Sequence, residues 1–176
     1  MNEAGSLNTI YTIGHSTHPI EVFIAMLQSF DIALVADIRR FPGSRRYPQF
    51  NSEALQAALQ AAGIRYLHMP ELGGRRKPLP DSHNTAWRND AFRGYADYME
   101  TEDFRNAILK LEDLGKTQPT AYMCSEAVWW RCHRALVSDY LKASGWQVMH
   151  IMAVGKATDH PYTAPARAAI QGNLFQ

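Results

Sequence analysis

The sequence predicts an α/β fold: a three-layer sandwich in which helices cover both faces of a mostly parallel sheet of about five strands. Two observations carry this reading. Short apolar runs alternate with segments of helical periodicity, which is the pattern of successive βαβ units. The runs also show little apolar/polar alternation, so each strand is expected to be buried on both faces. Such a pattern does not encode strand order. A closed barrel of eight units needs more chain than 176 residues supply.

The first strand is Ile10-Tyr11-Thr12-Ile13, ending at Gly14. Pro19 then opens a helix with Ile20, Phe23, Ile24 and Leu27 at helical spacing, because Pro suits a first turn whose N–H groups are unpaired anyway. A second strand, Ile32 to Ile38, leads through a basic loop to Asn51 and Ser52. Either can cap a helix carrying Leu55, Ala58, Leu59 and Ala62, which stops at Gly63. Ile64 to Met69 form the third strand.

A long loop from Pro70 to about Asn89 follows. Loops beyond ~12 to 15 residues are uncommon in compact domains, and this one is expected to be functional or disordered. One helix then carries Phe92, Tyr95 and Met99; another, capped by Thr101, carries Phe104, Ile108 and Leu111. The fourth strand, Thr120 to Met123, runs into Cys124. A helix from about Trp130 to Ser144 presents Leu136, Val137, Tyr140 and Leu141, and Gln147 to Val154 form the fifth strand. The whole chain, 1–176, reads as a single domain, with 156–176 as a tail that turns at Pro161 and Gly172.

Composition bounds the function classes. With 46% hydrophobic and 20% charged residues, the chain can bury a core without a disulfide or metal staple. Two cysteines make neither a disulfide framework nor a zinc ribbon, so no metal site is expected. Met1 to Ser6 carry no basic stretch followed by an apolar run, and no segment approaches the ~18 to 20 apolar residues of a membrane span. The expected location is the cytoplasm, with no membrane partner. A net charge of +1 argues against a uniformly polycationic nucleic-acid binder.

The distribution of charge says more than its sum. Loops that lead into the strands are bland, whereas those leaving the strands hold Gly14-His15-Ser16, Asp37 to Arg40 with Arg45 and Arg46, Glu71-Leu72-Gly73-Gly74-Arg75, and Cys124-Ser125-Glu126 with Arg131. Ligands of open parallel sheets bind beyond the carboxyl ends of the strands. Ten of the 18 Lys and Arg fall in or beside these loops, which predicts a focused positive rim for an anion, phosphate above all. Some of these arginines can instead pair with acids or be solvated. The expected substrate-binding set is Gly14, His15, Ser16, Arg39, Arg40, Arg45, Glu71, Gly73, Gly74, Arg75, Arg131, Cys132 and Arg134.

Cys124, Glu126, His133 and Asp37 are the expected catalytic residues. Cys124 would stand at a solvent-facing strand end ahead of a helix amino terminus, which favours a thiolate. A buried, inert thiol is the alternative, because free Cys is among the most buried residue types. Cys124 and Arg131 are one residue further apart than in the loop of cysteine phosphatases, and the segment between them has no glycine to form a phosphate cradle. His133 falls in the apolar stripe of its helix, as a carbonyl-bonded core histidine or as a base beside a thiol. Asp37 pairs with Arg39 or Arg46, or acts as an acid or base. The first turn has one glycine and no GxGxxG, so a nicotinamide cofactor is not expected, nor any other. Tyr47, Phe50, Trp87, Trp129 and Trp130 lie among the basic loops, where aromatics can stack nucleic-acid bases or serve as a hydrophobic lid.

Several segments together resemble the bacterial and archaeal "domain of unknown function 488" family: Tyr11 to Ser16, Asp37 to Arg45, Pro48 to Asn51, Pro70 to Gly74, Phe92 to Ala96, Cys124-Ser125-Glu126 and Cys132-His133-Arg134. The resemblance extends from roughly Ile10 to Thr163. It implies the site map and no particular reaction. The expected function is therefore an enzyme that acts on an anionic, phosphate-bearing substrate, a nucleotide or nucleic-acid end. The alternative is a binding module for nucleic acid without catalysis.

Overall fold

The computed structural model describes residues 8–43 and 45–174. Met1 to Ser6 and Ser44 of the quoted motifs lie outside them. The elements are β1 (Thr9–Gly14), α1 (Ile20–Gln28), β2 (Leu34–Asp37), α2 (Ser52–Ala61), β3 (Arg65–His68), α3 (Asp90–Tyr98), α4 (Glu102–Thr117), β4 (Thr120–Cys124), α5 (Arg134–Ala143), β5 (Gln147–Ala153), β6 (Lys156–Asp159) and α6 (Ala164–Leu174). Strand order is β3-β2-β4-β1-β5-β6. The first five strands are parallel, and β6 pairs antiparallel with β5.

Apolar strand residues point to both faces, as continuous apolar runs require. Val35, Ile13, Ala121 and Met123 meet Phe23, Met26 and Leu27 of α1 and Leu55 and Leu59 of α2. On the other face Ile10, Ala36, Tyr122 and Val148 meet Tyr95 of α3, Phe104, Ile108 and Leu111 of α4, and Leu136, Val137 and Leu141 of α5. The result is the three-layer α/β sandwich, mostly parallel, with helices on each side.

Two segments depart from expectation. The supposed tail from Lys156 onward supplies β6 and α6. A tight turn at Gly155, whose φ of 71° is one that glycine adopts freely, folds the chain back as a hairpin. The helix expected from about Trp130 starts only at Arg134, after a 3-10 turn at Trp129–Arg131 and an extended Cys132. Trp129 stacks flat on His150 of β5, with centroids 4.8 Å apart, and so holds that turn against the sheet.

The long loop is ordered by α3. Asp97 accepts hydrogen bonds from the Leu79 N–H, Ser82 Oγ and Asn84 Nδ2, and the Arg76 guanidinium lies 3.7 Å from the Tyr98 ring centroid. α3 and α4 begin where side chains satisfy free N–H groups: Asn89 accepts from Ala91 and Phe92, and Thr101 from Phe104.

The topology creates a crevice. β1 and β4 are neighbours, yet α1 covers one face after β1 and α5 the other face after β4. Loops leaving adjacent strands in opposite directions part at their carboxyl ends, which is where such sheets bind ligands.

Candidate functional site

A cavity of about 590 Å³ opens at the carboxyl ends of β1, β2 and β4. Its walls include His15, Ser16, Arg39, Arg40, Gly74, Arg75, Cys124, Glu126, Arg131, Cys132 and His133. Gly14, Asp37 and Arg134 lie beneath this surface, and Arg45, Glu71 and Gly73 stand outside the walls. Tyr47, one of the aromatics expected among the basic loops, also faces the cavity, as do Phe41 and Ala127, which the sequence did not single out as binding residues.

The β1–β4 pairing continues past the strands, with N–H groups of His15 and Ser16 donating to the carbonyls of Cys124 and Ser125. Gly14 permits it: a Cβ there would sit 1.7 Å from the Glu126 carbonyl oxygen. Ser16 and Arg75 face the cavity with φ of 48° and 60°, conformations that cost energy without glycine and that cluster at working sites.

The two thiols meet on one wall. Cys124 is 2% exposed, so the solvent-facing strand end expected for it is in fact covered. Its Sγ lies 2.8 Å from the Sγ of Cys132. Burial and the bond to Cys132 push the Cys124 thiol up, well above a free thiol. Burial also disfavours a Cys132 thiolate, but the S–H of Cys124 and the charge and N–H groups of Arg134 outweigh it and bring the Cys132 thiol down. The backbone N–H and Nε of Arg134 both approach Cys132 Sγ at 3.4 Å. Of the two, Cys132 is therefore the thiol that ionises first, at the start of α5, where the helix dipole favours the anion, and once it is ionised the Cys124 S–H donates to it.

Arg134 was expected to touch substrate. It is instead 1% exposed and organises the thiolate from below. Its Nη2 donates to the Glu126 carbonyl at 2.7 Å and its Nη1 to Thr12 Oγ1 at 3.2 Å. Beyond Thr12 runs a buried chain: Thr12 Oγ1 to His150 Nδ1 at 2.6 Å, His150 Nε2 to His160 Nδ1 at 2.8 Å, and His160 Nε2 to Asp139 Oδ1 at 2.8 Å. Donor directions follow from chemistry. A carboxylate only accepts, so His160 donates from Nε2 and accepts at Nδ1; His150 then donates from Nε2 and accepts the Thr12 hydroxyl at Nδ1. Burial, with His160 and Arg134 adding to it, holds His150 neutral with its pKa down at about 2. Asp139, anchored further by Thr163, thus orients Arg134 through three intervening side chains.

Sequence reasoning missed Thr12, Asp139, His150 and His160. A signal existed, since Thr12 and His150 are polar residues inside apolar strands and sit side by side in the β1–β5 register. Each becomes the other's partner.

Asp37 is fully buried, and its carboxylate accepts from Arg39 Nε and Nη2 at 2.9 and 2.8 Å and from the Tyr66 hydroxyl at 2.6 Å. This fork holds Arg39 in the cavity wall. His133 Nε2 donates to the Ile38 carbonyl at 2.9 Å, and burial, followed by the Arg134 charge, holds it neutral with a pKa of about 4. His15, buried against the Phe50 ring at 4.3 Å, is also lowered to about 4, by burial first and then by Arg39.

The rim differs in kind. Arg40, Arg75 and Arg131 are exposed, and among the described residues none of them forms an ion pair. Arg40 and Arg75 flank the exposed Phe41 ring at 5.4 and 5.8 Å. Among the described residues no group of three or more His, Cys, Asp or Glu is arranged to hold a metal ion. Nor, among them, is any helix long and apolar enough to cross a membrane.

Residues 19–141 match the family described as "Domain of unknown function DUF488". No curated protein and no solved structure gives a match. The matched stretch holds most of the cavity wall, from Arg39 to His133, and covers well over half of the sequence, so the chain belongs to the DUF488 family.

Proposed function

We propose that this chain is an enzyme in which the Cys132 thiolate attacks an anionic, phosphate-bearing substrate, a nucleotide or nucleic-acid end. The observation that carries this reading is the seating of Cys132 Sγ between the Cys124 thiol and Arg134, in the wall of a cavity whose rim carries three exposed arginines that form no ion pair among the described residues. Arg40, Arg75 and Arg131 capture the anion; Arg134 and Cys124 keep the sulfur ionised. Glu126, exposed in the same wall, is placed to move a proton to or from the reacting group.

Protection against alkylation tests this. Iodoacetamide should modify Cys132 in the native protein, and inorganic phosphate should slow that reaction in a salt-sensitive way, less so in Arg75→Ala. No protection at any phosphate concentration would remove the anion from the proposal. A second reading, a nucleic-acid-binding module without catalysis, is favoured by Phe41, 63% exposed between two guanidinium groups, a platform on which a base can stack. It predicts that Cys132→Ser binds single-stranded oligonucleotides as the parent does and that Phe41→Ala does not.

A further inference from the structure

We infer that Cys124 and Cys132 form a redox-active dithiol, in which Cys132 reacts with an oxidant of the peroxide class and Cys124 resolves the product to a disulfide. This rests on the reading of Cys132 as the site's reactive thiol. It adds a partner for that thiol and a second chemistry for the cavity.

Geometry carries it. The two sulfurs are 2.8 Å apart, and closure to a disulfide at about 2.05 Å asks for a sulfur displacement below ~1 Å. Cys132 is extended and lies outside α5, in a loop that a rotamer change can adjust without breaking a helix. Arg134 donates two hydrogen bonds to the Cys132 sulfur, from its backbone N–H and its Nε, which makes the roles unequal. Both face a cavity large enough to admit a small oxidant.

The steps balance. The Cys132 thiolate attacks one oxygen of hydrogen peroxide, the O–O bond breaks, and hydroxide leaves, so that sulfur is oxidised to the sulfenic acid and peroxide reduced. Cys124 then attacks that sulfur; the S–O bond breaks, the Cys124 proton and the hydroxyl leave as water, and the S–S bond forms. Two electrons pass from the pair to the peroxide. An external dithiol returns them.

Trypsin supplies a direct readout because it cuts after Arg131, between the two cysteines. In the peroxide-treated wild-type chain, the peptides Thr117–Arg131 and Cys132–Arg134 should remain joined and separate on reduction with dithiothreitol. Dimedone, which traps sulfenic acids, should label Cys132 in Cys124→Ser but not in the wild type. Wild-type Cys132 that accumulates dimedone adduct or sulfinic acid with no joined peptide would overturn the inference. So would equal dimedone labelling of the two proteins. The wild-type mapping needs no variant to fold. The two readings fail separately: phosphate-protected alkylation without a joined peptide sinks the dithiol alone, whereas a Cys132 inert to iodoacetamide removes the nucleophile beneath both.

Discussion

The two sides of the cavity are built on opposite principles. The thiol side is buried and satisfied throughout: Asp139, His160, His150, Thr12 and Arg134 form one polarised chain that ends on Cys132. The rim side, Arg40, Arg75 and Arg131, is exposed and, among the described residues, forms no ion pair; Arg40 donates to the Arg75 carbonyl. In a low-dielectric interior every polar group must be paired, and a fully paired network is stiff. At the surface, an arginine costs little to leave free and is available to a ligand. The comparison assigns orientation of the sulfur to the buried side and capture of an anion to the exposed one.

Arg134→Met should break that contrast most severely. Removing a buried guanidinium takes the Nε–H and the positive charge from the Cys132 sulfur and the guanidinium donors from the Glu126 carbonyl and Thr12, at a cost of about 3 kcal/mol or more in a denaturant melt. The Cys132 thiol should also titrate higher. Next in size is His160→Ala, which opens a cavity and takes one hydrogen-bond partner from each of Asp139 and His150, for about 2–3 kcal/mol. If that variant folds, Cys132 should alkylate more slowly although residue 160 touches neither thiol.

Acid should weaken the buried side in a defined window. His15 and His133 are held neutral in the folded chain with pKa values of about 4, against an ordinary 6.5. Between those values the unfolded chain binds more protons, so stability is fully present above about pH 6.5 and is lost as pH falls toward 4. Each histidine contributes about 1–3 kcal/mol, read as a falling denaturation midpoint. His133→Gln should flatten part of that slope.

The smallest effects on folding belong to the rim. Arg75→Ala and Arg131→Ala should change stability by no more than about 0.5 kcal/mol. Phosphate binding, followed by calorimetry at low salt, should nevertheless weaken in each. A rim variant that unfolds the chain, or a His160 variant that leaves Cys132 unchanged, would erase the distinction between the two sides.

What was legible in the sequence follows the same division. Apolar runs and cap residues gave the strands and helices because they depend on local periodicity, and the loops after β1, β2 and β4 stood out because their residue types are unusual for their position. Which thiol ionises was not legible: Cys124 looked favoured by its strand end, yet the preference goes to Cys132 because Arg134, two residues on, turns back beneath it. That turn depends on Thr12 and His150, 138 positions apart in sequence and adjacent only through the β1–β5 register. β6 escaped notice because Lys156 to Asp159 has no apolar run; an antiparallel edge strand need bury only part of one face.

In the working site, Cys132 should carry the charge and Cys124 the proton. Alkylating the native protein with iodoacetamide across pH, and locating the adduct by mass spectrometry after tryptic cleavage at Arg131, tests it most directly. Cys132 should be modified first, with a midpoint clearly below the ~8.5 of a free cysteine, while Cys124 stays unmodified until much higher pH. Modification of Cys124 first, or a Cys132 midpoint at or above ~8.5, would contradict it.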